Sequence, residues 1–372
     1  MNRLQQLHQA GVSIWLDTLS RELLDSGAFA GLIADSSVTG ATSNPTIFAK
    51  AITGSDLYDD QVRKAVASGM RDAQELFFEL ALDDVRQAAD LLRPAHDATS
   101  GRDDFVSFEC TPDLADDTAA TIAQAMHLWS RLARPNVMIK VPATEAGIPA
   151  IEELTARGVN VNVTLLFSLA RYEQVIDAYV TGLERRLADG QPVDAIASVA
   201  SFFVSRIDSK ADALLPVDSA LRGRIAIANA QRAYAHYRRR FAEERWRPLR
   251  EAGAHPQRPL WASTGTKDPA YSDVLYVEQL IAPDVVNTMP EATLRAFADH
   301  GSVGPPLDAD ARDAEDTLDH AEEAGIDLPA LTAELEREGV RSFCDSYHEL
   351  LSCIETKLPH SELTGPRDDA HA

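Results

Sequence analysis

The stretch VMIKV at residues 137–141 places one lysine, Lys140, inside an otherwise apolar run. Short runs rich in Val, Ile and Met are typical of buried β-strands. A second run of this kind, VNVTLLF, follows at residues 161–167. Because parallel strands need a long crossover between them, the spacing of these two runs predicts one strand–helix–strand unit of a parallel sheet.

The same alternation continues in both directions along the chain. Helix-like segments separate six further strand-like runs: SIWLD (13–17), GATSN (40–44), FVSFEC (105–110), SVASFFV (198–204), PLWAST (259–264) and DVVNTM (284–289). Eight strands that alternate with helices predict an α/β fold, the closed (β/α)8 TIM barrel. An open doubly wound sheet is the alternative, but no GxGxxG motif follows the first strand to favour it.

Two segments depart from this regular spacing. Residues 48–104 are too long for one crossover and predict two or three helices, with Ser55 as a candidate N-cap. Residues 291–358 are predicted to be wholly helical, either wrapping the barrel or covering one of its mouths. We therefore expect a single barrel domain over residues 1–361 and a disordered tail over residues 362–372.

Composition narrows the class of protein. The chain has 58 acidic and 35 basic residues, a formal net charge of -23, which disfavours nucleic acid and anionic membranes as partners. Neither a signal-peptide core nor an apolar run long enough to span a bilayer is present, so we expect a cytoplasmic protein. The three cysteines have neither metal-knuckle nor redox-pair spacing. The sequence does not choose between a monomer and a homodimer.

Alternate side chains of a strand point to opposite faces of the sheet. In most of the predicted strands, the polar residues fall on the same face. The shared faces carry Ser13, Trp15 and Asp17; Thr42 and Asn44; Ser107 and Glu109; Met138 and Lys140; Asn162 and Thr164; Ser201 and Phe203; Trp261 and Ser263. Leu165 falls on the opposite face from Thr164. Buried ionisable groups cost several kcal/mol each unless they are paired or functional, so this interior is a poor core. Barrel enzymes place their chemistry at the carboxyl ends of the strands, which makes it a candidate active site.

Lys140 is the candidate nucleophile. The alternative is a buried ion pair with one carboxylate, but several strands contribute polar inward residues and favour chemistry. A buried lysine loses its proton more easily, and a neutral amine attacks a ketone to form an imine that assists cleavage of a neighbouring C–C bond. Asp17 is a candidate base for that cleavage, and Glu109 with Thr164 could move protons to and from water. The residues suited to bind sugar hydroxyls are Asn44, Asn162 and Ser201.

Residues after the sixth and seventh strands are suited to bind phosphate. Arg206 follows the sixth strand, and Ser263 and Lys267 follow the seventh, where this fold often binds phosphate. The alternatives are an ion pair of Arg206 with Asp208 and an exposed loop position for Lys267. The ten histidines fall mostly in helical or loop segments, so no metal site is predicted.

Taken together, the motifs resemble the transaldolase family in its actinobacterial form. The segments that carry the resemblance are SIWLDTLSR, GATSNPTIF, VSFECTPDLADDT, VMIKVPATEAG, GVNVNVTLLFS, ASVASFFVSRID, ASTGTKDPAYSDVLY and VNTMPEATL, spanning residue 13 to about 297. The resemblance implies a class I aldolase barrel without a cofactor. It implies transfer of a dihydroxyacetone unit from sedoheptulose 7-phosphate to glyceraldehyde 3-phosphate, giving erythrose 4-phosphate and fructose 6-phosphate in the pentose phosphate pathway.

The resemblance also implies roles for individual residues. Lys140 matches the Schiff-base lysine, Asp17 the general acid/base, and Glu109 with Thr164 the pair that holds the catalytic water. The remaining matches are hydroxyl-binding Asn44, Asn162 and Ser201, phosphate-binding Arg206, and Ser263 with Lys267, where better-known relatives have a serine and an arginine.

One position bears on the choice between transfer and simple cleavage. Related aldolases have a tyrosine where this chain has Phe203, and a phenyl ring cannot activate water. Phe203 therefore favours a transferase over its first rival, an aldolase that acts on fructose 6-phosphate and releases free dihydroxyacetone. The second rival is a non-catalytic barrel that only binds metabolites.

Overall fold

The computed structural model describes residues 1–307 and 311–358, and it has the predicted closed barrel. Eight parallel strands pair in chain order and β8 pairs with β1, which excludes the open sheet. Each strand begins and ends within two residues of its predicted bounds. The strands are β1 (Val12–Leu16), β2 (Val38–Thr42), β3 (Phe105–Glu109), β4 (Val137–Pro142), β5 (Val161–Leu166), β6 (Ser198–Phe203), β7 (Arg258–Ala262) and β8 (Val285–Met289).

Helices surround the barrel and extend beyond it. The first half of the chain contains α1 (Arg3–Gln9), α2 (Arg21–Asp25), α3 (Ala28–Ser36), α4 (Pro45–Thr53), α5 (Asp59–Ala67), α6 (Ala73–Ala98), α7 (Thr118–Leu132) and α8 (Gly147–Ala156). The second half contains α9 (Leu169–Ala188), α10 (Ser205–Ala211), α11 (Ile225–Arg240), α12 (Arg247–Glu251), α13 (Leu275–Gln279), α14 (Glu291–His300), α15 (Arg312–Glu323) and α16 (Leu328–Glu355).

The two irregular segments differ from their predictions in detail. The insertion after β2 holds α4, α5 and α6, and Ser55 caps the 3-10 turn Asp56–Tyr58 that leads into α5. The segment 291–358 is not wholly helical, because residues 301–307 lie outside any helix. These residues include two glycines and two consecutive prolines, which disfavour helix formation. The tail predicted at 362–372 lies outside the described residues.

Strict alternation along the strands breaks down at two places. Trp261 was predicted to share a face with Ser263, but its Nε1 donates to the Leu280 carbonyl at 3.0 Å, outside the barrel. Ser263 has a φ of 56°, in the left-handed region, so the alternation does not continue from one to the other. Leu165 has the same φ of 56°, and the register of β5 against β6 shifts there. The alternation predicted for β5 therefore ends before Leu165.

The last helix, α16, packs over the carboxyl ends of the strands. It contacts α4, α6 and α10 as well as β5. A Cβ added to Gly339 would lie 2.9 Å from the Leu165 side chain, so the helix backbone runs close to the end of β5. The C-terminal helices were predicted to wrap the barrel or to cover a mouth, and α16 covers the carboxyl-end mouth.

A polar cluster closes the opposite end of the barrel. Asp103, just before β3, accepts hydrogen bonds from Ser13 Oγ and Trp15 Nε1, and Arg258 lies 3.5 Å from the same carboxylate. Arg258 also donates to Ser13 Oγ. Each charge of this cluster therefore has a partner, as buried charges require.

The surroundings of the neighbouring carboxylate, Asp104, disfavour its charged form. It is 2% exposed, and burial together with the adjacent Asp103 charge raises its pKa to about 7. A raised folded-state pKa means that the folded protein binds a proton more tightly than the unfolded chain. Stability is therefore lost as the pH rises from about 4 to about 7.

We predict that Asp104→Asn stabilises the protein above neutral pH. Asparagine carries no charge to desolvate and tolerates the left-handed backbone found here, where φ is 69°. The gain in urea unfolding free energy over the parent should be about 1–3 kcal/mol larger at pH 8 than at pH 5, because only part of the destabilisation is present at pH 5. The control Asp103→Asn should lower stability at both pH values because it weakens the partner of Arg258. Equal effects of Asp104→Asn at pH 5 and pH 8 would contradict the prediction.

Candidate active site

Lys140 lies inside the barrel between two strands that also carry polar residues. The register pairs it with Glu109 of β3 on one side and with Asn162 of β5 on the other. The residue is 6% exposed, and its Nζ donates to the Ser43 carbonyl at 3.3 Å. The Glu109 Oε2 atom lies 3.7 Å from the same Nζ, which is an ion-pair distance and too long for a hydrogen bond.

Glu109 is buried and incompletely partnered. Burial raises its pKa to about 7, and the Lys140 charge opposes that rise. Within residues 1–307 and 311–358, Glu109 Oε2 has no hydrogen-bond partner, and neither does Thr164 Oγ1 of β5. A carboxyl that titrates near neutral pH beside an amine is suited to proton transfer.

Asp17 follows β1 and is tied to the neighbouring strands. Its carboxylate accepts a hydrogen bond from Thr42 Oγ1 at 3.0 Å, and its backbone N–H donates to the Met289 carbonyl at 2.8 Å. Burial raises its pKa, while Lys140, Thr42, Lys267 and Arg206 lower it, in that order. The charged groups predicted for the site are therefore close enough to interact electrostatically with Asp17.

The predicted hydroxyl-binding residues fall into two places. Asn162 and Ser201 lie in the interior, where Ser201 Oγ donates to Asn162 Oδ1 at 2.7 Å and Asn162 Nδ2 donates to Ser107 Oγ at 2.9 Å. Asn44 lies at the rim, and its side-chain oxygen accepts from the Ile47 N–H at 3.0 Å at the start of α4. Asn44 adjoins Ser43, whose carbonyl accepts from Lys140.

Arg206 is the second residue of α10, which follows β6. Its guanidinium lies 5.0 Å from the centre of the Phe203 ring, and the described residues form no ion pair with it. Burial lowers its pKa, and the Asp17 charge acts in the opposite direction. The alternative pairing with Asp208 is wrong: Asp208 instead accepts from the Ala226 N–H at 2.7 Å and from Tyr276 Oη at 2.9 Å.

The two remaining phosphate candidates differ from each other. Ser263 is joined to the residue before Arg206, because the hydroxyls of Ser205 and Ser263 lie 2.8 Å apart. Lys267 is exposed, as its alternative reading predicted, yet it lies close enough to Asp17 to lower the pKa of that carboxyl. Ser263 therefore lies beside the residue that precedes Arg206, whereas Lys267 lies at the exposed edge of the site.

Three residues in or near the site had no predicted role. The Ser43 carbonyl and Ser107 belong to segments already identified, and strand alternation had placed Ser107 on the same face as Glu109. Phe343 of α16 has its ring centre 5.8 Å from Lys140 Nζ, and no local sequence pattern links residues so far apart. In the part of the chain that the structure describes, no three His, Cys, Asp or Glu side chains are grouped to hold a metal ion, and no helix is apolar and long enough to cross a membrane.

Comparison with known proteins agrees with this geometry. A family model described as transaldolase/fructose-6-phosphate aldolase matches residues 14–354. A protein named transaldolase from Parafrankia sp. is 50% identical over 361 residues, which cover 95% of this chain and 98% of the relative. A transaldolase of Saccharopolyspora erythraea is 50% identical over 365 residues, covering 97% of this chain and 99% of the relative.

A third relative, named transaldolase 1, comes from Streptomyces coelicolor. It is 48% identical over 368 residues, which cover 97% of this chain and 96% of the relative. Both the family model and these relatives extend across the barrel and α16. The chain therefore belongs to the transaldolase/fructose-6-phosphate aldolase family.

Proposed function

We propose that the protein is a transaldolase that carries a dihydroxyacetone unit on Lys140. The unit would pass from sedoheptulose 7-phosphate to glyceraldehyde 3-phosphate, giving erythrose 4-phosphate and fructose 6-phosphate in the pentose phosphate pathway. The observation that carries the proposal is the buried Lys140 amine, held between the Ser43 carbonyl and the Glu109 carboxyl. Relatives named transaldolase at about half identity over nearly the whole chain support the same reaction.

Imine formation on Lys140 requires proton transfers that Glu109 is suited to make. The amine attacks the donor ketone, and the resulting alcohol leaves as water once it is protonated. A carboxyl with a pKa of about 7 holds a proton in part of the molecules at neutral pH and can return it later. The unpartnered oxygens of Glu109 and Thr164 are suited to hold the water that enters and leaves.

Cleavage of the donor requires a base for its hydroxyl proton, and we assign this role to Asp17. As the proton leaves, the C–C bond next to the imine breaks and the electrons move into the iminium. Burial, which raises the Asp17 pKa, makes the carboxylate a stronger base, and the nearby cations oppose that rise. Asn44, Asn162 and Ser201 would bind the hydroxyls of the sugar chain.

The phosphate end of each sugar is assigned to Arg206, supported by Ser263 and Lys267. Arg206 makes no ion pair with any described residue, so its guanidinium N–H groups are available to an anionic ligand. The expected cytoplasmic location stays a prediction, as do the absence of nucleic-acid binding and the choice between monomer and homodimer.

Fructose-6-phosphate aldolase activity is the alternative within the same family. It would use the same lysine but would release free dihydroxyacetone to water. Phe203 favours transfer, because its ring packs 5.2 Å from that of Phe167 and offers no hydroxyl to activate water. An assay with fructose 6-phosphate, with and without erythrose 4-phosphate, separates the two activities. Cleavage at an equal rate without the acceptor would contradict the transaldolase assignment.

We predict that borohydride traps a three-carbon adduct on Lys140 when the protein is incubated with fructose 6-phosphate. Peptide mass spectrometry should locate the adduct, and Lys140→Met should abolish both adduct and activity because no other amine occupies this position. Lys64→Met, at an exposed position of α5, is the matched control and should behave like the parent. A parent protein that acquires no adduct would instead support the non-catalytic barrel.

Asp17→Asn should lower kcat by about 10²–10⁴-fold, the usual range for loss of a general acid/base. The amide keeps the shape of the side chain and its bond from Thr42, but it cannot take the hydroxyl proton. Asp35→Asn, at an exposed position of α3, serves as the control and should leave kcat unchanged. A kcat for Asp17→Asn within a few-fold of the parent would remove Asp17 from the mechanism.

Arg206→Ala should raise KM for phosphorylated sugars by about 10–100-fold, the size expected for a lost charged hydrogen bond. Lys267→Ala should raise it less, because Lys267 is exposed. Neither variant should change kcat/KM for unphosphorylated fructose, which has no group for Arg206 to bind. An unchanged KM in Arg206→Ala would move the phosphate site elsewhere.

A further inference from the structure

The helix α16 brings an aromatic side chain into the active site from outside the barrel. Its buried face repeats every four residues, at Leu331, Leu335, Gly339, Phe343 and Tyr347. Phe343 is 6% exposed, and its ring centre lies 5.8 Å from Lys140 Nζ. The amine therefore has an apolar neighbour on one side, in addition to its polar contacts with Ser43 and Glu109.

Close packing fixes the position of this part of α16. Gly339 lies one turn before Phe343 and is the residue whose added Cβ would come within 2.9 Å of Leu165. Ser346 lies almost one turn after Phe343, and its hydroxyl accepts a hydrogen bond from Thr46 Oγ1 of α4 at 2.7 Å. These two contacts flank Phe343 and hold its ring over the lysine.

Ion pairs add to these contacts on the outer face of α16. Lys210 of α10 lies 2.8 Å from Glu334 and 2.7 Å from Glu338, and Arg171 of α9 lies 3.4 Å from Glu336. Ion pairs this exposed add little to stability, because water and salt screen them. The buried face of α16 therefore contributes more to its position than these pairs do.

We propose that Phe343 determines the fate of the three-carbon unit bound to Lys140, by excluding water from one side of the imine. This inference rests on the proposed transaldolase function. The phenyl ring has neither a donor nor an acceptor for water, and it occupies space next to the nitrogen that forms the imine. Exclusion of water from a reactive intermediate is a recognised way for a site to prevent hydrolysis.

Two reactions compete for the bound unit. In hydrolysis, the nucleophilic carbon of the enamine takes up a proton to give the iminium, water adds to the iminium carbon, the carbon–nitrogen bond breaks, and free dihydroxyacetone and the Lys140 amine are released. In transfer, the nucleophilic carbon of the enamine attacks the aldehyde carbon of the acceptor, a C–C bond forms, and the aldehyde oxygen takes up a proton. Water then releases the lengthened ketose from Lys140. A ring that limits access of water before the acceptor binds therefore favours transfer.

Phe343 acts at a different place from Phe203. The Phe203 ring belongs to β6 and contacts Phe167 and the Arg206 guanidinium, at 5.2 Å and 5.0 Å. Phe343 is supplied by α16 and faces Lys140 itself. Substitutions at the two positions therefore test different contributions to the same outcome.

The experiment measures the ratio of dihydroxyacetone released to sedoheptulose 7-phosphate formed, with fructose 6-phosphate as donor and erythrose 4-phosphate as acceptor. Phe343→Ala should raise this ratio by about tenfold, equivalent to about 1.4 kcal/mol between the competing barriers. Phe343→Leu keeps an apolar side chain over the amine and should stay within about threefold of the parent. If Phe343→Ala does not fold, Phe343→Gln, which keeps more volume but admits water, should also raise the ratio.

Leu350→Ala is the matched control, since Leu350 is buried on the same face of α16, two turns beyond Phe343. It should lower the melting temperature without changing the ratio. A ratio within twofold of the parent in folded Phe343→Ala or Phe343→Gln would overturn the role of Phe343. Absence of a borohydride-trapped adduct in the parent would instead reject the proposed function on which this inference rests.

Discussion

Burial of the Lys140 amine beside the Glu109 carboxyl is the constraint on which the rest of the site depends. Removing each charge from water costs several kcal/mol, and a pair 3.7 Å apart recovers this only in part. Each strand of the closed barrel pairs with a neighbour on both sides, so two neighbours fix its register. The register of β3, β4 and β5 sets Glu109, Lys140 and Asn162 side by side. A slip of one residue would turn the lysine out of the barrel.

The same burial changes the charge that a substrate meets at the mouth. The chain as a whole carries a formal charge of -23, which repels anionic sugars at long range. At the site, burial raises the pKa of both Asp17 and Glu109, while Lys140, Arg206 and Lys267 supply positive charge. Since Glu109 titrates near pH 7, the local charge is more positive than a residue count suggests. This local balance suits a phosphorylated sugar.

Much of the fold was predictable because strands and helices leave local periodic signals. Eight strand-like runs identified eight strands, and alternation placed Lys140 with polar neighbours from the adjacent strands. The predicted alternation failed at Trp261 and Leu165. The cause is the left-handed backbone at Ser263 and Leu165, a local conformation that the spacing of apolar residues does not reveal. Phe343 was missed for another reason: its contact with Lys140 joins residues about 200 positions apart. Only the path of α16 brings them together.

The two ends of the barrel use similar residues to opposite effect. At the amino end, Asp103 is surrounded by donors, so its charge is satisfied and its contribution is to stability. At the carboxyl end, Glu109 keeps an oxygen without a hydrogen-bond partner among the described residues, and its pKa is raised to about 7. A fully partnered carboxylate has little to gain from a ligand, whereas an incompletely partnered one can gain hydrogen bonds and exchange a proton. The difference in partners, and not in residue type, is what makes the carboxyl end suited to chemistry.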